Sequence, residues 1–236
     1  MNPTEENYSV LQSALDYFNH ELFDGLLPPC LITLQRKKST FGYFVPGRFV
    51  HRKSRESVDE IALNPTYFAT VPIEEILQTI VHEMVHQWQY HYGKPSRSGY
   101  HNKEWAEKME SIGLMPSSTG KPGGKRTGQK MSDYIASGGK FEAACKTLLD
   151  NRFIIPWVDK RIDRQIAIQL LSGDYELEGV DTATLGIDMA ELETISNENR
   201  SNREKYSCPS CGNNVWGKPG MNIECGDCHQ AMKKPE

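Results

Sequence analysis

The chain has 236 residues, 38% hydrophobic and 25% charged, with 27 Lys and Arg against 31 Asp and Glu for a formal net charge of −4. No apolar run approaches the ~20 residues that span a bilayer, and the start, Met1-Asn2-Pro3-Thr4-Glu5-Glu6-Asn7, lacks the basic and apolar regions of a secretory signal. Membrane-spanning, secreted and mainly disordered classes are therefore not expected, and the length suits one large domain or a domain with an appendage.

Residues 5–22 carry Leu11, Ala14, Leu15, Phe18 and Leu22 at helical spacing, and Pro28-Pro29 breaks the pattern. Short strands are predicted at 31–34, 41–44 and 60–63, the middle one bounded by Gly42 and Pro46-Gly47, the last by Asn64-Pro65. Pro72, Glu74 and Glu75 open a helix with the stripe Ile76, Leu77, Ile80, Met84 and Trp88, closing near Gly93. A shorter helix opens around His101–Asn102, carries Trp105, Met109 and Ile112 on one face, and closes at Gly113. From 117 to 130 the chain turns to Gly, Lys, Ser and Thr, which predicts a loop or linker. Phe141, Ala144, Cys145, Leu148 and Leu149 resume the helical period, whereas Ile166, Ile168 and Leu170 alternate like a strand in surroundings that suit a helix.

Charge is unevenly spread. Residues 1–140 hold 16 Lys and Arg against 15 acids, residues 141–236 hold 11 against 16, and eight acids with no base lie between Asp174 and Glu198. A solvated face or loop is the ordinary meaning of such a run. Lys121, Lys125, Arg126 and Lys130 form the opposite feature, a Gly-rich basic stretch that suits either a flexible loop or a contact along phosphates.

His82-Glu83-Met84-Val85-His86 lies inside the strongest predicted helix. Positions i and i+4 share a helix face, so both imidazoles can reach one metal ion, with Glu83 beside the water as general base. Zinc accepts neutral histidine nitrogen, and a catalytic site keeps a coordination position open for water. For a third ligand the residues offer His101, after a Gly/Pro/Ser turn, Glu104 one turn later, and His91, which lies about 140° round the helix from His86. The metzincin spacing needs Gly and His where Gln89 and Tyr92 stand, so that class is excluded.

Several further segments accompany this helix: Phe18-Asn19-His20-Glu21-Leu22-Phe23, Leu27-Pro28-Pro29, Gly42-Tyr43-Phe44, Glu60-Ile61-Ala62-Leu63-Asn64-Pro65 and Gly99-Tyr100-His101-Asn102-Lys103-Glu104-Trp105. Together they make residues 5–115 resemble the SprT-like domain, the zincin module of bacterial SprT proteins and of the eukaryotic protease Spartan. The resemblance implies a zincin fold, His101 as third ligand, and proteolysis of proteins bound to DNA. Many relatives place Gly-His-Gly at the turn, where this chain has Gly99-Tyr100-His101-Asn102.

Cys208-Pro-Ser-Cys211 and Cys225-Gly-Asp-Cys228 form two knuckles, a spacing that suits a closed structural zinc site of four thiolates. Cys30 and Cys145 stand alone, so a disulfide framework is not expected and a reducing compartment, the cytoplasm, is. The unit resembles the zinc ribbon that follows the catalytic domain in SprT-like proteins. Its Trp216 and Lys218 are candidates for stacking bases and meeting phosphates, although residues 200–236 carry only 6 bases against 4 acids.

The expected architecture is α+β: a zincin-like catalytic domain over 1–118 (a helix, a small sheet and the His82–His86 helix), a Gly/Lys-rich loop or linker over 119–140, a mixed α/β connecting region with the acidic stretch over 141–200, and a four-cysteine zinc ribbon over 201–236. The expected activity is zinc-dependent endoproteolysis, with Glu83 catalytic, one catalytic zinc on His82, His86 and His101, and one structural zinc on Cys208, Cys211, Cys225 and Cys228. Expected partners are a protein substrate, including DNA-bound protein, and DNA as activator, held by Lys121, Lys125, Arg126, Lys130, Trp216 and Lys218; no membrane partner is expected. Arg48 and Tyr100 are candidate transition-state donors. The alternative is a nucleic-acid-binding adaptor with two structural zinc sites and no hydrolysis.

Overall fold

The structure is a computed structural model that describes residues 2–37, 40–97, 99–159, 167–168, 171–172, 189–197 and 203–235. Helix α1 (Pro3–Phe23) is followed by strands β1 (Cys30–Leu34), β2 (Gly42–Val50) and β3 (Ser57–Leu63), then helices α2 (Ile73–Tyr92) and α3 (Lys103–Ser111). Strands β4 (Leu114–Ser117) and β5 (Ser132–Ile135), helices α4 (Lys140–Asp150) and α5 (Met189–Asn197), and strands β6 (Glu204–Ser207) and β7 (Asn214–Gly217) complete the order.

α1 starts where the Asn2 side chain accepts from the Glu5 N–H at 2.9 Å, with Pro3 in the first turn. It stops at Asp24, whose φ is 54°. Asn19 then fixes the exit by donating to the Leu27 carbonyl and accepting from the Leu27 N–H, each at 3.1 Å. This delivers the chain into a three-stranded sheet of order β1-β3-β2, with β1 parallel and β2 antiparallel to β3.

β3 is the central strand, buried from Asp59 to Leu63, and it begins three residues before the stretch its apolar pattern marks. Two buried acids hide the start, and both are partnered. Asp59 accepts from the Gly47 N–H at 2.8 Å and from Gln87 Nε2 at 3.1 Å, while Glu60 accepts from Thr33 Oγ1 at 2.6 Å. β2 runs past Pro46-Gly47, which the sequence reading takes as its end. The register shifts between Val45 and Phe49, so Pro46 sits at a bulge where no ladder N–H is required.

Leu11, Leu15 and Phe18 of α1, Ile61 and Leu63 of β3, Leu77, Ile80 and Met84 of α2, Trp105 and Met109 of α3, and Phe141 of α4 share one core. Phe18 and Phe141 stack with ring centroids 5.7 Å apart, which ties the far end of that chain segment to the first helix. Residues 119–140 are therefore more than a linker. β5 pairs antiparallel with β4, setting Ser132 opposite Ser117 and Asp133 opposite Pro116. Between them the loop closes on itself: the Ser118 N–H donates to the Lys125 carbonyl at 2.9 Å and the Lys125 N–H to Ser118 Oγ at 3.0 Å. Ser132-Asp133-Tyr134-Ile135 is too short and mixed to show a period of two.

The expected strand or helix at 166–170 lies mostly outside the described residues, of which Ala167 and Ile168 are helical. The acidic run also lies mostly outside them, with α5 as its described part. Among the described residues no helix is long and apolar enough to cross a membrane. Toward the C-terminus β6 pairs antiparallel with β7, and a small core of Tyr206, Cys208, Cys225 and Met232 forms around the knuckles.

Candidate metal centre

α2 carries His82, Glu83 and His86 because its apolar residues Leu77, Ile80, Val81, Met84 and Val85 bury the flanking face. His82 and His86 lie one turn apart, with ring centroids 5.2 Å apart. After Tyr92 the chain turns at Gly93, where a Cβ would fall 2.5 Å from Glu104 Oε2. Asn102 fastens the return. Its Oδ1 caps α3 through the Trp105 N–H at 3.0 Å, and its amide donates to the Lys94 carbonyl and to Ser96 Oγ, each at 3.0 Å. His101 is thereby brought to the α2 histidines, with its Nε2 3.1 Å from His86 Nε2. One ligand atom from each of His82, His86 and His101 falls within 4.8 Å of the others.

The other two candidate ligands are engaged elsewhere. His91 Nε2 meets Asp59 Oδ2 at 2.7 Å, and Glu104 accepts from Gln89 Nε2 at 2.8 Å and from the Lys94 N–H at 2.6 Å.

The donor set fits a tetrahedral metal. His82 Nδ1 lies 2.8 Å from Asp133 Oδ1 and His101 Nδ1 lies 3.2 Å from the Gly128 carbonyl, which leaves each Nε2 for a ligand. Metal–nitrogen bonds of ~2.0–2.1 Å make a tetrahedral edge of about 3.3 Å, close to the His86–His101 separation. Burial, with the neighbouring histidines, pushes the His86 pKa well below its usual value, and burial with His82 pushes His101 down to about 4. Both shifts favour the neutral ring, the form that ligation requires. Burial also opposes charge on His82, but the Asp133 hydrogen bond and the Glu83 and Asp133 charges outweigh it and raise that pKa. Fully buried Trp105 packs against all three rings, at centroid distances of 5.0, 5.4 and 4.4 Å from His82, His86 and His101.

Glu83 is only 6% exposed, and the Phe44 N–H hydrogen-bonds its carboxyl. Burial raises its pKa to about 7, against the lowering effect of His82; a dication on the histidines would draw it back down. The approach of β2 to α2 at this point depends on Gly42, where a Cβ would stand 2.9 Å from Thr79 Cγ2, 3.0 Å from the Ala62 carbonyl oxygen and 3.4 Å from Glu83 Cγ. Gly42→Ala should therefore lower stability by about 1–3 kcal/mol, the usual cost of overpacking. It should also move Glu83; an unchanged denaturation midpoint would show that the strand has room.

A cleft of about 1630 Å³ opens over the three histidines, with Gly42–Pro46 of β2 on one side and Gln129–Ile135 on the other. Arg48 and Tyr100, the candidate transition-state donors, line it, and Lys130 stands at its border. Lys121 and Lys125 are exposed on the self-closed loop, and Arg126 is held by a two-pronged pair with Glu110 at 2.5 and 2.6 Å. Trp216 is 61% exposed on β7, cross-strand from Lys205, and Lys218 is exposed just beyond. The six residues proposed from sequence for nucleic acid thus all face solvent, although Arg126 already has an anionic partner.

Cys208, Cys211, Cys225 and Cys228 bring one sulfur each within 4.8 Å of the others, with Cys211 and Cys225 Sγ 3.6 Å apart. Zinc–sulfur bonds of ~2.3 Å make a tetrahedral edge of about 3.8 Å. The thiols share their protons: the Cys211 and Ser210 N–H groups pull the Cys208 pKa down to about 7, while at Cys211 the Asn213 N–H is outweighed by hydrogen bonds with the other three cysteines, which push that pKa up to about 12. His229 pairs with Glu224 at 3.2 Å and takes no part.

Sequence reasoning missed Asp133 and Gly128. Neither belongs to a recognisable spacing, and each acts on a histidine through a strand and loop with no periodic signal.

The SprT-like family model matches residues 11–123. An "Uncharacterized protein in mucB 3'region" of Salmonella typhimurium is 59% identical over 59 residues, which are 25% of this chain and 80% of that protein. No solved structure matches the chain.

Proposed function

The chain belongs to the SprT-like family, and from that premise we propose that it is a zinc-dependent endopeptidase of zincin type, with Glu83 as general base. The observation that carries this reading is the convergence of His82, His86 and His101 beside a buried carboxylate at the floor of an open cleft. Zinc held by those imidazoles would supply Lewis acidity, polarising a peptide carbonyl and lowering the pKa of water from ~15.7 toward ~7. The chain's own part begins with binding. β2 is an edge strand whose residues line the cleft, so an extended peptide can pair along it. Glu83, steadied by the Phe44 N–H, accepts the proton of the attacking water on a carboxylate oxygen and returns it to the departing amine. The four cysteines hold a second, structural zinc.

DNA-bound protein is the proposed substrate class, with DNA as activator. Support comes from Lys130 at the border of the cleft and the exposed Trp216 and Lys218 on the ribbon. The test is cleavage of one protein, free and crosslinked to DNA, with and without single-stranded DNA. Cleavage that needs DNA and fades with salt supports both parts. Cleavage indifferent to DNA keeps the peptidase and removes the substrate class. No cleavage by a chain carrying two zinc ions favours the adaptor.

A further inference from the structure

The segment from Gly128 to Asp133 lies beyond the stretch that matches the family model, yet it reaches both ends of the histidine cluster. At one end the backbones of His101 and Gly128 exchange hydrogen bonds, the His101 N–H donating at 2.8 Å and the Gly128 N–H at 3.1 Å, while the Gly128 carbonyl also faces His101 Nδ1. At the other end Asp133, only 7% exposed, places Oδ1 at 2.8 Å from His82 Nδ1. Its second oxygen is not idle. Gln78 Nε2 donates to Asp133 Oδ2 at 2.6 Å and to the Asp133 carbonyl at 2.9 Å, so a residue one turn before His82 on α2 holds the carboxylate in place.

We propose that Asp133 is a positioning residue for the metal centre, and that strand β5 with the Gly128 loop forms the outer half of the site. This rests on the zinc-peptidase reading. Although Asp133 lies in the wall of the cleft, its Oδ1 is committed to His82 and its Oδ2 to Gln78, so it acts through His82. A carboxylate on Nδ1 keeps the proton there, leaves the Nε2 lone pair facing the cluster, and makes the ring a stronger donor to a cation. Gln78 prevents the carboxylate from turning away. The β4–β5 pairing supplies the register that points Asp133 at α2. Removing such a partner typically weakens metal affinity by ~10–100-fold.

The test is metal affinity at the histidine site of the full chain, by competition with a chromophoric chelator. Cobalt(II) serves as a reporter, because thiolate sites give an intense charge-transfer band that imidazole sites lack. Asp133→Ala should weaken the histidine site toward the 100-fold end of that range, and Asp133→Asn, which keeps the size and one acceptor, about ten-fold. The cysteine site and the melting temperature of the metal-free chain should be unchanged. Wild-type affinity at the histidine site in Asp133→Ala, with two metals still bound per chain, overturns the assignment and leaves the peptidase reading standing. Absence of metal from the histidine site of the wild type overturns both. Should Asp133→Ala lower the melting temperature of the metal-free chain, Asp133→Asn decides: a ten-fold fall supports the assignment and none overturns it.

Discussion

Replacing Glu83 by glutamine should abolish measurable turnover while the chain keeps both metals. Glutamine preserves the shape and an acceptor for the Phe44 N–H but cannot take a proton, so the loss should be at least the ~10²–10⁴-fold that a positioned acid–base group contributes. Metal content and cleavage rate, measured on one preparation, separate the roles: retained metal with lost turnover assigns the base, and unchanged turnover removes Glu83 from the chemistry. A second consequence concerns the metal-free chain. Burial raises the Glu83 pKa from 4.5 to about 7, so charging this group disfavours the folded state. The cost is absent below pH ~4.5, where folded and unfolded chains are both protonated, grows as pH rises, and is complete above about 7. Glu83→Gln removes it, and the metal-free variant should be the more stable at pH 8, by an amount on the order of 3 kcal/mol. Equal urea midpoints at pH 8 would contradict that.

Stripping metal from the four cysteines should unfold the C-terminal unit and leave α1–α4 intact. The unit has two four-residue strands and a buried core of Tyr206, Cys208, Cys225 and Met232, of which two are themselves cysteines. So little apolar area cannot offset the entropy of ordering the hairpin. Structural zinc supplies ~10–16 kcal/mol in comparable small units, and folding there is inseparable from binding. The larger core, from Leu11 to Phe141, draws on four helices and a sheet and has no such dependence. Amide exchange before and after chelation, or in Cys208→Ser, would show the difference: β6 and β7 should lose all protection while α2 keeps it. Protection of β6–β7 without metal would refute the argument.

The histidine helix and the cysteine knuckles were legible in the sequence because their chemistry is local. Each is a short spacing, set by one helical turn or one tight turn, that needs no knowledge of the rest of the fold. The motifs around them were legible as a resemblance, and the structure supplies their physical reasons. Asn19 clasps Leu27, Asn102 ties the return loop to α3, and Asn64 donates to the Lys37 and Thr40 carbonyls at 2.8 and 2.9 Å. What could not be read were features produced by tertiary pairing. β2 extends through a proline because a bulge absorbs it, and β3 begins at residues whose polarity masks a central strand until Gln87, Gly47 and Thr33 are seen to satisfy them. β5 is four residues of mixed character, and its meaning lies in what Asp133 reaches, 51 positions away from His82 along the chain.

The way the Gly- and Lys-rich loop closes on itself divides this part of the chain into a stretch that can change length and one that cannot. Between the paired Ser118 and Lys125 backbones, added residues would extend an exposed loop whose ends are already joined, and doubling such a loop costs only about 0.6 kcal/mol. Within β5, which starts at Ser132, a single inserted residue would shift the register against β4 and turn Asp133 to the opposite face, and the Gly128 backbone just before it is tied to His101. Length variation among related chains should therefore collect between 119 and 124 and stop short of 128. A peptide or fluorophore inserted beside Gly123, with that glycine kept for its φ of 90°, would ride on the closed loop and leave the 128–133 segment and its histidine contacts as they are.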